Sequence, residues 1–596
     1  MTETFLTFKA RMAALFLLLC LTASSAFGQL LPSTHKQYFS YNGTTLALVG
    51  ISGEYLPHVK RPLKKNVYVT FDSDSLPVYL ADLNAKHINK IRMWIGVNHS
   101  IGIGENDPAT KPNGQPYPGE QPFFFNGSRW RLDRYDTGTG GFFENVKSVL
   151  DLCAQNGVFV EVTLVDAFQG TYSTSPWYPG TLDANGNVLT AGNRNLWYDA
   201  AAGCSPCYNA GFTKPAYMVS FDNATCTDLA CASESARNKT TRVLQAKFIE
   251  QAVTALNGYT NFYWEIANEP DFNTNTNPLD IDAMINWHNA VAKKIVAVEG
   301  PLPNKHAIAA NFITKAALDK IQLNPARLDP SIQILNGHYV DITVKNGIQP
   351  RLGAITANNA YNRTATPIDK LFGFGETLLS SPNPDVPTEA DRQAWRAEAW
   401  EFLMSEGGVY DNLGYGWSSS VAYNLRADLG SLANFINGSG GLQLAALRRE
   451  TGTTPSWISG GVLTYGALDA SLGTHTYWGS MKRPNGGQFV FYMHHSDRTI
   501  DPGATGYVAK PRTGTNFYQR TLTFNPGAAP VGYYRLEWFY YPPSAPQGAQ
   551  VTCAESINWS SGTFSRLTPK YSYDLAVRLT YCNSTTTPCV TTTTCP

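Results

Sequence analysis

The feature that most constrains the fold is a repeated alternation of apolar strands and amphipathic helices between residues 44 and 425. Runs such as "TTLALVGIS" (44–52), "HINKIRMWI" (87–95) and "VFVEVTLV" (158–165) have the composition of strands buried on both faces. Between the last two, "FFENVKSVLDLCAQNG" places apolar residues at helical spacing and stops at a glycine. Eight such strands, the last expected at 418–424 ("SSSVAYN"), predict an α/β fold in which a parallel sheet closes into a (β/α)8 TIM barrel.

After residue 455 the periodicity changes. Segments such as "GQFVFYMHH" and "GYYRLEWFYY" alternate like strands and are separated by Gly, Pro and Asn turns, with no helical pattern between them. This pattern predicts a C-terminal antiparallel β-sandwich. The expected division of the chain is a signal peptide at 1–28, a barrel domain at 29–445 with long loops at 96–141 and 166–238, a β-sandwich domain at 455–582, and a Thr-rich tail at 583–596.

The two long loops follow the second and third predicted strands. Barrels of this kind keep their active sites at the C-terminal ends of the strands, so both loops are expected beside the active site. They carry the aromatic residues Trp130, Trp177 and Tyr178. These side chains either stack on sugar rings in a cleft or hold the loops together.

The N-terminus has the pattern of a secretory signal. Lys9 and Arg11 precede an apolar run at 12–23, and "SSAFGQ" then offers small residues, with cleavage expected after Gly28. The run is short for a membrane span, and no later stretch is long and apolar enough for one. The mature protein is therefore expected to be secreted, either extracellular or periplasmic, with no membrane contact once the signal is removed.

Charge and composition narrow the class of partner. The chain has 46 Lys plus Arg and 46 Asp plus Glu, so no basic excess favours nucleic acid. Aromatic residues make up 12% of the chain, which fits a protein that stacks uncharged flat ligands such as sugars, although aromatic residues also fill cores. We expect a carbohydrate substrate, a monomer, and no metal or other cofactor.

Apart from Cys20, which lies in the signal segment, and Cys153, the cysteines fall into two groups. Cys153 sits in a helical pattern and is predicted to be a buried free thiol. Because exported proteins meet an oxidising environment, disulfides are the favoured interpretation of both groups, with the pairing left open. The spacing of the first group also resembles a zinc cluster. The groups are Cys204, Cys207, Cys226 and Cys231, and Cys553, Cys582, Cys589 and Cys595.

Two glutamates end predicted barrel strands. "NFYWEIANEPDF" (261–272) delivers Asn268 and Glu269 at the end of strand four, and "LFGFGETLLSS" (371–381) delivers Glu376 at the end of strand seven, after glycines that permit close approach. A lone carboxylate could bind a cation or cap a helix. Glycoside hydrolysis needs two carboxyl groups, one to protonate the leaving oxygen and one to act at the anomeric carbon.

"WEIANEP" together with "GFGET" resembles clan A of the glycoside hydrolases, the (β/α)8 retaining enzymes that include cellulases, mannanases and β-galactosidases. The resemblance implies that Glu269 is the acid/base and Glu376 the nucleophile. It implies that Asn268 bonds the sugar 2-hydroxyl. "IRMW" resembles the arginine motif of strand two, which implies that Arg92 pairs with the nucleophile and keeps it ionised.

"NGHYV" resembles the His/Tyr motif of strand six in the same clan. The resemblance implies that His338 contacts the substrate or the acid/base, and that Tyr339 donates to the nucleophile. In the clan one residue often separates this pair, whereas here the two are adjacent. Trp417 or Tyr423 would supply the strand-eight aromatic residue that contacts the substrate.

Three other acidic residues in or near the barrel strands are not assigned a catalytic role. Glu265 lies within strand four and is predicted to be structural. Glu54 and Asp166 either touch substrate or form loop salt bridges.

Three functions compete. The leading one is a secreted retaining glycosidase that cleaves O-glycosidic bonds in a polysaccharide or oligosaccharide by double displacement. The alternatives are a carbohydrate-binding protein on a barrel scaffold without catalysis, and a metal-dependent hydrolase that uses the first cysteine group. The sugar, the linkage and endo or exo action stay open, as does the role of the β-domain.

Overall fold

The fold is described from a computed structural model of the chain. It covers residues 28–34, 36–52, 76–96, 122–125, 130–166, 236–270, 281–312, 315–338, 369–376, 389–412, 420–438, 440–470, 473–496, 517–542, 550–585 and 587–589. The predicted signal peptide, apart from Gly28, lies outside these residues.

Eight parallel strands close into a barrel, which confirms the predicted (β/α)8 fold. Each strand pairs with its neighbour in chain order, and the eighth pairs with the first. The strands alternate inward and outward side chains, and helices cover the outside. The barrel strands are β4 (Leu48–Ser52), β5 (Lys90–Trp94), β8 (Phe159–Asp166), β9 (Phe262–Asn268), β10 (Ile308–Phe312), β11 (Ile332–His338), β12 (Leu371–Glu376) and β13 (Val409–Asp411).

The predicted position of the eighth strand was wrong. That strand is β13, and the segment predicted as a strand at 418–424 leads into a helix, Ser420–Asn437. Leu429, Leu432 and Ile436 of this helix are buried at helical spacing. The true strand is only three residues long, too short to show a strand pattern in the sequence.

The helices bury one face against the barrel. In the helix at Phe142–Gln155 the buried residues include Val146, Val149, Leu150 and Cys153, as their spacing predicts. Cys153 is a buried free thiol, which confirms its prediction, and burial raises the pKa of this thiol. The helices are α1 (Leu76–Ala85), α2 (Phe142–Gln155), α3 (Ala236–Leu256), α4 (Ile281–Glu299), α5 (Lys315–Leu323), α6 (Glu389–Met404) and α7 (Ser420–Asn437), with a 3-10 turn at Pro325–Arg327.

A small N-terminal sheet covers the bottom of the barrel. Its strands are β1 (Leu31–Pro32), β2 (Phe39–Tyr41) and β3 (Thr44–Leu46). Phe39 and Leu46 share an apolar cluster with Phe159 and Tyr263, which lie at the starts of their barrel strands. The rings of Phe39 and Tyr263 are 5.4 Å apart. The N-terminal end of the barrel is therefore filled, and the opposite end is the one available for chemistry.

The predicted loop at 96–141 contains regular structure. Strands β6 (Phe123–Phe125) and β7 (Trp130–Tyr135) form an antiparallel pair within it. The side chain of Trp130 lies outside the described residues, as do Trp177 and Tyr178.

The C-terminal region forms two antiparallel sheets, which confirms the predicted β-sandwich. Phe489 and Trp538 of the larger sheet share one apolar cluster with Leu522 and Phe524 of the smaller sheet. The larger sheet contains β14 (Arg448–Arg449), β16 (Leu468–Asp469), β17 (Thr474–Lys482), β18 (Gln488–Ser496), β20 (Gly532–Tyr540), β21 (Val551–Trp559) and β23 (Asp574–Tyr581), and the smaller contains β15 (Ile458–Ser459), β19 (Thr521–Phe524) and β22 (Phe564–Leu567).

The other face of the larger sheet packs on helices α6 and α7 of the barrel. Trp400 stacks on Tyr492 at 4.9 Å, and Phe435 meets Phe539 edge-on at 4.6 Å. Strands β18 and β20 are therefore buried on both faces. The contact joins the sandwich to the barrel through a continuous apolar cluster.

A buried ion pair lies in this contact. Arg396 of α6 donates to the Asp574 carboxylate at 2.7 and 3.1 Å, and its guanidinium lies 4.0 Å from the centre of the Tyr541 ring. Both charged side chains are almost fully buried, at 1% and 3% exposed.

Two of the C-terminal cysteines form a disulfide, Cys582–Cys589. Cys553 is also disulfide-bonded, to a partner outside the described residues. The first cysteine group lies outside the described residues as well, so its assignment to disulfides or zinc stays a prediction. Among the helices that the structure describes, none is long and apolar enough to cross a bilayer.

Arg396→Ala should strongly destabilise the protein. Removing one partner of a buried ion pair leaves an unpaired buried charge and costs about 3–5 kcal/mol. Urea unfolding should show a fall of that order in the free energy of unfolding. Arg566→Ala is the matched control, because Arg566 pairs with Glu555 at 2.9 Å on the surface, where such a pair contributes about 1 kcal/mol or less. Equal losses of unfolding free energy in the two variants would contradict the expectation that the buried ion pair contributes more than the exposed one.

Candidate active site

The interior of the barrel holds a stack of buried charges. Lys90 and Arg92 alternate on β5, and Glu161, Glu265 and Asp411 face them from β8, β9 and β13. The Lys90 ammonium lies 2.7 Å from Glu161 and 2.6 Å from Asp411. A buried charge needs a partner of opposite sign, and here each cation has one.

These charged groups shift one another's pKa values. Burial disfavours the ionised form of Glu161, but Lys90 and Arg92 outweigh it and lower the pKa of Glu161. Burial raises the pKa of Glu265 to about 8 against the attraction of Arg92, and the neighbouring Glu161 adds to the rise. Burial also raises the pKa of Asp411, although Lys90 opposes it. Glu265 is therefore the group in this stack that most readily holds a proton.

Arg92 links this stack to the end of strand β9. Its guanidinium donates to Oε2 of Glu265 from Nε at 3.0 Å and from Nη2 at 2.6 Å. The same Nη2 donates to Oδ1 of Asn268 at 2.8 Å. Arg92 thereby fixes the side-chain amide of Asn268, the residue expected to bond a sugar hydroxyl. Glu265 acts as a structural partner of Arg92, in line with the interpretation of it as structural.

Two further polar residues hold Glu265. The Thr163 hydroxyl donates to it at 2.6 Å and the Asn336 amide at 3.2 Å. Asn336 fits because residue 373 is a glycine: a Cβ there would lie 2.1 Å from Oδ1 of Asn336. The glycines before Glu376 do permit close approach, as the sequence predicts.

Glu269 follows β9 at the C-terminal end of the barrel. It is 2% exposed and its backbone has a φ of +45°, in the left-handed region. A non-glycine residue in such a conformation costs about 1–3 kcal/mol and persists only where its surroundings fix it, typically at functional sites. Its N–H donates to Oδ1 of Asn311 at 2.9 Å, and its Oε1 lies 3.0 Å from Nδ1 of His338.

His338 is a neutral partner for Glu269. Burial lowers the pKa of His338 well below its usual value, and Arg92 and Lys90 lower it further. A neutral imidazole can share a hydrogen bond with either form of the glutamate, whereas an imidazolium would favour the carboxylate. The pair is therefore suited to a glutamate that gains and loses a proton.

The second predicted catalytic residue ends a strand of the same barrel. Glu376 is the last residue of β12, and its Cα is in register with that of His338 on β11. His338 thus adjoins Glu376 along the sheet and contacts Glu269 through its side chain. Both glutamates lie at the C-terminal end of the barrel, on strands four and seven as predicted.

The side chains of several predicted site residues lie outside the described part of the structure. The side chain of Glu376 lies outside the described residues, so its pairing with Arg92 stays a prediction. Tyr339, Trp417 and Glu54 also lie outside them. Tyr423 belongs to helix α7 and Asp166 ends β8, but neither side chain is described.

Sequence reasoning missed most of the polar layer beneath the glutamates. The missed residues are Lys90, Glu161, Thr163, Asn311, Asn336 and Asp411, all fully buried. A signal was present, because "KIRMW" and "FVEVTLVD" place charged or polar residues two apart within otherwise apolar strands. In a barrel strand such spacing indicates a polar interior. Among the described residues, no group of three or more His, Cys, Asp or Glu is arranged to hold a metal ion.

No protein-family model and no curated protein matches the chain. Among solved structures, one described as a glycoside hydrolase is 12% identical with a TM-score of 0.50, covering 94% of this chain and 98% of its own. A family 5 glycoside hydrolase from Bacteroides vulgatus is 9% identical with a TM-score of 0.49, covering 95% and 97%. A family 5 mannosidase from Rhizomucor miehei is 13% identical with a TM-score of 0.41, covering 69% and 100%.

The first of these likenesses extends over nearly the whole of both chains. At this identity it shows a shared fold. The fold agrees with the one that the resemblance to clan A implies from the sequence.

Glu265→Gln should change how stability depends on pH. The Glu265 pKa is 4.5 in an ordinary setting and about 8 in the folded protein, so unfolding between these values releases a proton. The stabilisation that this group contributes is complete below pH 4.5 and is lost as the pH rises through about 8. Glutamine mimics the protonated acid and does not titrate.

Urea unfolding at several pH values tests this expectation. Relative to the wild type, Glu265→Gln should gain stability from pH 5 to pH 8, by up to about 1.4 kcal/mol per pH unit. Glu555→Gln, at a part-exposed position on the sandwich, is the control. Parallel curves for the wild type and Glu265→Gln would show that Glu265 does not hold a proton in the folded state.

Proposed function

We propose that this chain is a secreted retaining glycoside hydrolase that cleaves O-glycosidic bonds in a polysaccharide or oligosaccharide. The observation that carries the proposal is the site of Glu269. It is a buried, conformationally fixed glutamate bonded to a neutral histidine, at the end of a closed barrel that is filled at its other end. Glu376 ends a strand at the same end of the barrel.

Each residue has a distinct role in the proposed reaction. Glu376 attacks the anomeric carbon while Glu269 gives its proton to the leaving oxygen, and a covalent glycosyl-enzyme forms. Glu269 then takes a proton from a water molecule, which attacks the same carbon and releases Glu376. This sequence requires carboxyl groups about 5 Å apart, whereas a wider gap admits water directly and gives inversion.

The hydrogen bonds around Glu269 support its proposed role as the acid/base. Arg92 fixes Asn268 next to Glu269, and His338 bonds the Glu269 carboxyl group. Because His338 is neutral, it can donate to the carboxylate after proton transfer without competing for the proton before it. The proposed export of the protein is supported by the N-terminal sequence pattern, and the neutral net charge suits an uncharged glycan.

Activity on aryl glycosides tests the proposal. The wild type should hydrolyse at least one member of a panel of α- and β-linked nitrophenyl glucosides, mannosides and galactosides. Glu376→Ala should abolish turnover, and Glu269→Gln should lower it by about 10²- to 10⁴-fold, the usual range for a general acid. Glu555→Gln, on the sandwich surface, should retain activity.

The first-formed product distinguishes the mechanisms. Its anomeric configuration, read by NMR before mutarotation, should match that of the substrate. An inverted product would exclude double displacement. A protein that binds polysaccharide but hydrolyses nothing in the panel or in a polysaccharide digest would instead be the non-catalytic carbohydrate-binding protein.

A further inference from the structure

Asn311 makes a side-chain hydrogen bond to Glu269, and the catalytic roles proposed above do not include it. It lies on β10, the neighbour of β9 in the barrel, and its side chain is fully buried. It is in register with Asn336, whose amide reaches Glu161 and Glu265 inside the barrel. Since residues in register on parallel strands face the same side of the sheet, Asn311 also faces the barrel interior.

The backbone of Glu269 lies beyond the last ladder pairs on both sides of β9, which on the β8 side run to Asp166–Asn268. Within the described residues of both strands, pairing between β9 and β10 covers Trp264–Ile308 and Glu265–Ala309 and then stops. The N–H of Glu269 comes four residues after the last pair, where the chain turns into its left-handed conformation. Oδ1 of Asn311 accepts this N–H at 2.9 Å and so ties the main chain of Glu269 to β10 beyond the last pair of that ladder.

The geometry points to Asn311 as a positioning residue that fixes the main chain of Glu269 and thereby aims its carboxyl group. The hydrogen bond supplies the kind of surrounding contact that a left-handed glutamate needs in order to persist. The other end of the Asn311 amide, Nδ2, is buried and has no hydrogen-bond partner among the described residues. The contact with Glu269 is therefore the one hydrogen bond that this side chain makes within that part of the chain.

This inference rests on the proposed function, because it matters to catalysis only if Glu269 is the general acid. A misplaced general acid impairs substrates whose leaving group needs a proton and spares those whose leaving group departs unaided. A merely structural role would lower activity on both kinds of substrate together. The comparison of a poor and a good leaving group therefore separates positioning from stability.

The experiment compares phenyl and 2,4-dinitrophenyl glycosides of the sugar that the wild type hydrolyses. Asn311→Ala should lower kcat/KM on the phenyl glycoside by about 10- to 100-fold and change that on the dinitrophenyl glycoside by less than about 3-fold. If Asn311→Ala does not fold, Asn311→Leu fills the same volume without an acceptor and should give the same selective loss.

Asn89→Ala is the matched control. Oδ1 of Asn89 also accepts a backbone N–H, that of Val49, at 2.9 Å, but next to the starts of the barrel strands. This variant should leave the ratio between the two substrates unchanged. Equal losses on both substrates for Asn311→Ala, or no loss on either, would overturn the positioning role.

The same assay shows whether a negative result overturns the proposed function or only the inference about Asn311. If Glu269→Gln shows no dependence on the leaving group while the wild type is active, then Glu269 is not the general acid. The proposed function would then fail, and the role of Asn311 with it. If Glu269→Gln shows that dependence and Asn311→Ala does not, only the inference about Asn311 fails.

Discussion

A guanidinium buried inside a closed barrel needs acceptors and a nearby negative charge, and Arg92 has both in Glu265, to which it donates, and in Glu161, 3.9 Å away. The contact with Glu265 joins the second barrel strand to the fourth and is continued by the bond from Arg92 to Asn268. The end of strand four is thereby held two ways, by Arg92 from inside the barrel and by Asn311 from the next strand. Within the described residues, these restraints fix the position of Glu269 at the end of the strand.

The two ends of the barrel have opposite character, and this difference determines where chemistry is possible. Apolar side chains of the N-terminal sheet fill the lower end, next to Phe159 and Tyr263. The middle layer holds two buried cations: Lys90 pairs with Glu161 and Asp411, and Arg92 donates to Glu265 and lies 3.9 Å from Glu161. At the upper end the hydrogen-bonded glutamate and the neutral His338 lie beside the end of strand seven. The sandwich packs against helices α6 and α7 on the outside of the barrel, and this contact supports a role for it as a buttress.

Much of this fold could be predicted from the sequence, because buried strands and amphipathic helices carry distinct periodicities. Strand eight could not, since three residues at Val409–Asp411 are too few to show a period, while the following helix begins with a strand-like "SVAYN". Glu269 was recognisable because a polar pair interrupts an apolar strand just before a proline. Asn311 was not, because its importance comes from a contact with a backbone N–H on another strand, which no local pattern records.

The central claim is that Glu269 and Glu376 act on one glycosidic bond, with Glu376 forming the covalent intermediate. The most direct measurement is to treat the protein with a 2-deoxy-2-fluoro glycosyl fluoride of its preferred sugar, which slows the second step, and to map the labelled peptide by mass spectrometry. We predict one sugar adduct per chain, on Glu376, and none on the Glu376→Ala variant. An active protein that acquires no adduct, or acquires one on a different residue, would contradict the account.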